Sequence, residues 1–205
     1  MLPAAVLVVA AAAGGAERDA GECTGGGDAG PSRCLYRSLL PSTGIVADCE
    51  SDSRCRVGAY YGSPDTPTWF AVPAGLEALP RPRVRWHSAT FAEARFDCGA
   101  GCSLSYFFEA RRRRISPARA SVLAVDVRRW LLAAADGPAI VVRQIFAGRP
   151  VARIERAWAP GLTAREAVTA IRFDPDGRLT FTWLAGPERR PVSERVTVPS
   201  AAPPS

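Results

Sequence analysis

Six cysteines constrain the fold of this 205-residue chain more than any other feature of its sequence. Their even number is typical of a disulfide framework in an exported protein. Six cysteines allow fifteen pairings, which the sequence does not resolve, but closeness along the chain favours joining neighbours. We therefore expect three bridges that each close a short loop: Cys23–Cys34, Cys49–Cys55 and Cys98–Cys102.

The N-terminal sequence independently predicts export. Residues 2–13 form an apolar run rich in Ala and Val, and the small residues Gly-Gly-Ala follow at 14–16. The run is too short to span a bilayer, and small residues are what a signal peptidase requires. We predict a cleaved signal peptide over residues 1–16 and a periplasmic or secreted protein. Glu22, directly before Cys23, does not fit a lipoprotein signal, and no later segment reaches the length of a membrane span.

Turn-forming residues indicate the fold class. Eighteen Pro and eighteen Gly favour many short strands over long helices. We predict a mainly β fold, an antiparallel meander that is propeller-blade-like or sandwich-like, with one short helix and disulfide bracing. The predicted organisation is a signal peptide over 1–16, a Gly-rich arm over 17–33, a single β-rich domain over 34–199 and a disordered tail over 200–205.

Between residues 91 and 156 the sequence predicts consecutive antiparallel strands. Residues 91–96 and 103–109 are expected to form a hairpin whose tip holds the third bridge. Four strands are predicted to follow over residues 121–156, with Asp136-Gly137 as one of their turns.

The C-terminal third predicts one helix and one further hairpin. Residues 163–166, Thr-Ala-Arg-Glu, have the capping-box form and predict a helix of about two turns. Residues 174–177, Asp-Pro-Asp-Gly, suit a type I turn, which also accounts for this pair of carboxylates. After the turn, Leu179, Phe181 and Trp183 alternate with polar residues, as in a half-buried strand.

Two resemblances add to this interpretation. Residues 168–186, VTAIRFDPDGRLTFTWLAG, resemble the opening hairpin of a β-propeller blade, and the strands of residues 121–156 resemble one blade. The stretches CRVGAYYGSPDTPTWF, ARFDCGAGCSLSYFFEA, SVLAVDVRRWLLAA and VARIERAWAP resemble uncharacterised exported proteins of high-GC Gram-negative bacteria. That second resemblance implies a periplasmic or secreted location and brings no activity with it.

The candidates for catalysis are few. His87 is the only histidine, and its candidate partners are Ser103, Ser105 and Asp97. No Gly-x-Ser-x-Gly motif marks a nucleophile, so we interpret His87 as a polar packing residue. Asp97 with Glu109 is the one carboxylate pair that suits a glycosidase-like site, provided that the fold brings the two together.

Redox and metal chemistry are also weakly supported. Cys98 and Cys102 enclose three residues, whereas thiol oxidoreductases usually enclose two at a helix N-terminus, so a structural bridge is favoured. Asp48, Glu50 and Asp52 alternate as in a calcium loop, but no Gly stands at the required bend. No Gly-rich phosphate loop is recognisable. We assign no catalytic, cofactor-binding or metal-binding residue and predict no cofactor.

All 26 basic residues are Arg, and the net charge is +6. The one dense cluster is Arg111, Arg112, Arg113 and Arg114, and the sequence around it shows neither an aromatic stacking platform nor a recognition helix. We interpret it as a solvated loop and predict no nucleic-acid binding, with binding to an anionic surface as the alternative.

The leading functional hypothesis is a non-enzymatic periplasmic binding or inhibitor-like protein with a protein partner in the cell envelope. The alternatives are a hydrolase of envelope material, which would use His87, Asp97 or Glu109, and anionic-surface binding through the Arg cluster.

Overall fold

The computed structural model describes residues 21–25, 30–99 and 102–199. The predicted signal peptide, the predicted C-terminal tail and much of the predicted arm lie outside the described residues. The described chain forms four antiparallel sheets, I to IV, which follow one another in sequence.

Each sheet is built from strands that are close in the chain. The strands of sheet I are β1 (Glu22–Thr24), β2 (Ser32–Arg37), β3 (Thr43–Ser51), β4 (Arg54–Tyr61) and β5 (Thr68–Trp69). The strands of sheet II are β6 (Arg83–Trp86), β7 (Phe91–Asp97), β8 (Ser103–Glu109), β9 (Arg114–Ile115) and β10 (Arg119–Ala120). The strands of sheet III are β11 (Val122–Asp126), β12 (Leu131–Asp136), β13 (Ala139–Gln144) and β14 (Pro150–Glu155). The strands of sheet IV are β15 (Val168–Phe173), β16 (Arg178–Ala185) and β17 (Arg190–Thr197).

The predicted antiparallel meander is confirmed. In sheets I, III and IV every strand pairs with its neighbours in sequence, and sheet II departs only because β9 and β10 both pair with β8. Strand β1 and the start of β2 fall within residues 17–33, so part of the predicted arm belongs to sheet I.

Three buried clusters hold the sheets face to face in chain order. Sheets I and II enclose a core that includes Ile45 and Phe108. The core between sheets II and III includes Phe91 and Phe107. The core between sheets III and IV includes Trp183. These clusters of the described residues join consecutive sheets only, so the molecule is an open stack of blade-like meanders with sandwich-like packing.

The central position of sheet II explains why its strands are apolar on both faces. Along β7, Ala92, Ala94 and Phe96 are buried against sheet I, whereas Phe91 and Glu93 alternate with them and point to the opposite face, towards sheet III. Successive strand residues face opposite sides, so a sheet covered on both sides must bury both sets.

The three predicted disulfides are confirmed. Cys23–Cys34 links β1 to β2, Cys49–Cys55 links β3 to β4, and Cys98–Cys102 closes the tip between β7 and β8. All three lie in sheets I and II, at the end of the stack that carries the β3–β4 and β7–β8 turns. We call it the disulfide end.

The predicted helix is present but shorter than expected. Helix α1 is Ala164–Ala167, a single turn, and its capping box is formed, since the Thr163 N–H donates to the Glu166 carboxylate at 2.8 Å. It ends where it does because Val168 already pairs with Trp183 of β16. No helix of the described chain is long and apolar enough to cross a membrane.

The predicted C-terminal hairpin is confirmed. Leu179, Phe181 and Trp183 are buried towards sheet III. The turn before them closes with a hydrogen bond from the Gly177 N–H to the Asp174 carbonyl, 2.9 Å long. Gly177 has φ +86°, a left-handed backbone conformation that favours glycine.

Candidate functional site

The cluster Arg111–Arg114 forms the turn between β8 and β9, at the end of the stack opposite the disulfides. The carboxylate of Glu109, only 4% exposed, accepts the backbone N–H groups of Arg111 at 3.2 Å and Arg112 at 2.7 Å. Arg113 adopts a left-handed backbone, with φ +49°. Because charged acceptors make strong hydrogen bonds, Glu109 fixes this turn, and the loop is more ordered than its sequence indicates.

Aromatic rings lie beneath three of the four arginines. The guanidinium carbon lies 5.9 Å from the Trp130 ring centroid for Arg112 and 4.8 Å from the Phe146 ring centroid for Arg114. For Arg113 the ring is that of Tyr61, at 5.6 Å. The sequence around the cluster did not reveal these rings because sheets I and III supply them. Each such cation–π contact contributes about 0.5–1 kcal/mol at an exposed site.

The Tyr61 hydroxyl stays neutral beneath Arg113. Burial, and to a lesser extent the Glu109 carboxylate, raise the pKa of Tyr61 to about 12, while Arg113 opposes the rise. The phenol therefore does not neutralise the guanidinium above it.

The charge of this turn is not balanced locally. None of its four arginines forms an ion pair with a carboxylate of the described residues, whereas most other described arginines do. The neighbouring turns of sheet III carry two more arginines, Arg128 beside Trp130 and Arg149 in the turn that holds Phe146, likewise without such an ion pair. We call Arg111–Arg114, Arg128 and Arg149, with the three rings, the arginine end.

A second polar cluster lies between sheets II and III. Glu93, 7% exposed, meets His87 at 3.2 Å (Nε2 to Oε2) and accepts a hydrogen bond from the Ser105 hydroxyl at 2.6 Å. Burial opposes ionisation of Glu93, but the hydrogen bonds from His87 and Ser105 outweigh it, so the pKa of Glu93 lies below its ordinary value.

The order of groups in this cluster does not match a catalytic triad. A triad has the histidine between the serine and the acid, so that it takes the serine proton. Here Glu93 lies in the middle, and Ser105 is 1% exposed. Glu93 was not among the candidates that the sequence predicted, although the sequence does show a charged residue on the same strand face as Phe91.

The other candidates from the sequence do not converge. The β7–β8 register pairs Phe91 with Glu109 and Asp97 with Ser103, so Asp97 and Glu109 lie at opposite ends of the hairpin, about 20 Å apart at ~3.3 Å per residue.

The three carboxylates that alternate as in a calcium loop each meet an arginine. The oxygen–nitrogen distances are 3.4 Å for Asp48 to Arg33, 3.6 Å for Glu50 to Arg54 and 3.0 Å for Asp52 to Arg81. The described residues contain no group of three metal-ligating side chains.

A groove of about 680 Å³ opens at the disulfide end, beside Cys49–Cys55. Most of its charged side chains pair with one another, as Arg54 does with Glu50 and Glu77 at 3.6 and 3.8 Å, while Arg56 lies over the Trp69 ring. The arginine end therefore differs from it in carrying unpaired charge of one sign.

Comparison with known protein families, with curated proteins and with solved structures finds no match.

Proposed function

We propose that this is an exported, non-enzymatic binding protein that holds an acidic partner at its arginine end. The observation that carries the proposal is the Arg111–Arg114 turn, whose side chains lie over aromatic rings and meet no described carboxylate. An inhibitor-like role towards an envelope enzyme or toxin with an acidic surface is one form of this function.

The arginine end is proposed as the binding surface because its side chains are already ordered in the free protein. A free arginine loses side-chain entropy when it binds, whereas one already resting on a ring and a fixed turn loses less. Guanidinium groups also match carboxylate and phosphate oxygens in a two-pronged geometry.

Backbone conformation gives further support. Arg113 and Trp130 both have positive φ, +49° and +55°. Such conformations are unfavourable for residues other than glycine and persist where the surrounding structure imposes them, commonly at functional surfaces.

The location part of the proposal is supported by the three disulfides, which fit an oxidising, non-cytoplasmic compartment. The mature protein is then expected to begin at Glu17. Intact-mass measurement of the protein recovered from periplasm or medium checks this, and recovery of the full-length chain from cytoplasm contradicts it.

Heparin, a dense polyanion, is a suitable first probe for the binding part. The test variant replaces Arg111, Arg112 and Arg114 by Gln and leaves Arg113 because of its backbone. We expect the variant to elute from heparin at clearly lower salt, and the slope of log affinity against log salt to fall by roughly one unit per arginine.

The matched control removes the same charge elsewhere. Arg83, Arg153 and Arg190, each on the surface and paired with a carboxylate, are replaced by Gln. The proposal requires this control to behave as wild type. Equal losses in both variants would mean that net charge, not the arginine end, causes retention.

A further inference from the structure

An exposed leucine lies beside the arginine end. Leu39, in the β2–β3 turn of sheet I, is 64% exposed, more than any other large apolar side chain of the described residues. A solitary exposed apolar side chain is ordinary on a protein surface, so its position relative to the arginines is what matters.

Backbone hydrogen bonds join this leucine to the arginine turn. The Leu39 N–H donates to the Ala89 carbonyl at 3.2 Å, in the β6–β7 turn. From the same turn, the Thr90 carbonyl accepts the Ala110 N–H at 2.8 Å, immediately before Arg111. The three turns therefore form one continuous surface.

Partly exposed aromatic rings, those beneath Arg112 and Arg114, continue this surface on the other side. Trp130 and Phe146 of sheet III keep part of their surface in solvent and contact each other, with ring centroids 5.5 Å apart. Because the arginine turn belongs to sheet II, it lies between Leu39 of sheet I and these rings. Cations are thus bordered on both sides by apolar groups.

We propose, resting on the proposed function, that the acidic partner is an anionic phospholipid surface against which the arginine end docks. Arginines meet the lipid phosphates, while Leu39 and the rings of Trp130 and Phe146 enter the interface between headgroups and acyl chains. Tryptophan and other amphipathic groups favour that depth, and basic groups are drawn to anionic leaflets. The apolar groups around the arginines favour a lipid surface over an acidic polymer, because binding to an acidic polymer depends on the charges alone.

Vesicle co-sedimentation of the disulfide-bonded protein tests this. Vesicles of phosphatidylcholine alone are compared with vesicles that also contain phosphatidylglycerol, at low and high salt. We expect binding only to the anionic vesicles, and weaker binding in high salt.

Two variants separate charge from insertion. Replacing Arg111, Arg112 and Arg114 by Gln should weaken partitioning roughly a hundredfold, at about fivefold per arginine. Leu39→Ser should weaken vesicle binding by roughly five- to tenfold and leave heparin retention unchanged, because it removes only apolar burial. Val192→Ser, a similar change at an exposed valine of sheet IV, is the matched control and should have no effect.

The outcomes are distinguishable. Retention on heparin through the arginines without binding to anionic vesicles overturns the lipid inference and favours an acidic protein or polysaccharide. Vesicle binding that is insensitive to Leu39→Ser overturns the insertion of Leu39 and assigns the binding to the arginines alone. Failure on both heparin and vesicles overturns the proposed function itself.

Discussion

Sheets I and II, the first sheet pair, and sheets III and IV, the second sheet pair, are stabilised by different chemistry. The first pair holds all three disulfides. The second pair instead uses arginine–carboxylate contacts at poorly exposed acceptors, such as Asp174 and Asp126, whose side chains are 8% and 10% exposed. Similar meanders therefore reach a stable fold by two routes.

The disulfides and the arginine–carboxylate contacts are weakened by different treatments. A disulfide acts largely by restricting the unfolded chain and does not depend on carboxylate ionisation, but a reductant removes it. A carboxylate that accepts hydrogen bonds from arginines is indifferent to reductant and loses its contribution when it is protonated. Reductant therefore acts on the first pair, whereas acid acts on the second pair and, within the first, on the buried carboxylate Glu93.

The largest expected effect is that of reduction. Each short-loop bridge contributes about 2–3 kcal/mol, so reducing all three removes a large part of the roughly 5–15 kcal/mol that stabilises a typical domain. Hydrogen exchange followed by mass spectrometry should show loss of protection in β3 and β4, with β12, β13 and β16 retaining theirs. A uniform loss in all four sheets would mean that the two pairs unfold as one unit.

A variant that lacks only the Cys98–Cys102 bridge is the reference for this experiment. Replacing Cys98 and Cys102 by Ala opens the smallest of the three rings, so it should cost only about 2 kcal/mol. The variant should still fold, and Cys23–Cys34 and Cys49–Cys55 should keep sheet I protected.

The polar cluster around Glu93 gives the next effect. Glu93→Ala leaves His87 and Ser105 without their shared acceptor in the sheet II–III interface, and we expect a loss of about 3–5 kcal/mol. Glu77→Ala removes a carboxylate whose side chain is 94% exposed and should change stability by less than about 0.5 kcal/mol. Equal denaturation midpoints for the two variants would show that the Glu93 cluster contributes nothing to stability.

The sequence was informative where the pattern is local. Cysteines close together in the chain pair with each other, the Asp174–Gly177 turn defines its hairpin, and the period-2 pattern around Phe181 identifies a half-buried strand. Each of these signals lies within a few residues of the feature that it predicts. The helix was the exception, because pairing of Val168 across to β16 shortened it.

The candidate site was less predictable because its parts come from different sheets. Arg112, Arg113 and Arg114 acquire their rings from Trp130, Tyr61 and Phe146. Nothing in the local sequence indicates which faces will meet when meanders stack. Glu93, the carboxylate partner of His87, lies only six residues away in the same hairpin, so its omission has a different reason: its neighbours on β7 are mostly apolar.

Acid should act on the second sheet pair through three carboxylates with lowered pKa values, and on sheet II through Glu93, whose pKa is lowered as well. The hydrogen bond from Thr180, with those from Arg172 and Arg195, holds the pKa of Asp174 below its ordinary value. The pKa values of Glu194 and Glu166 are also lowered, by contacts with Arg156 and Thr163.

The sign of the acid effect follows from these directions. A carboxylate with a lowered folded pKa contributes fully above its unfolded pKa, roughly 4, and the contribution is lost as pH falls through the folded value. Asp174→Asn should therefore lower the thermal midpoint at pH 7 and flatten its fall below about pH 4. Asp65→Asn, at an exposed carboxylate of the first pair, should leave the pH profile as it is; a wild-type profile for Asp174→Asn would contradict the role of Asp174.

The smallest effect concerns a single contact between sheets III and IV. Arg156, just after β14, donates two hydrogen bonds to Glu194 of β17, at 2.7 and 2.6 Å. Both side chains are about one-third exposed, so solvent screens the pair, and a double-mutant cycle with Arg156→Gln and Glu194→Gln should give a coupling of about 0.5–1 kcal/mol. The pair Arg190–Glu188, far more exposed, should give a coupling near zero in the same cycle. If the two couplings are equal, the two-pronged geometry adds nothing to the contact between the last two sheets.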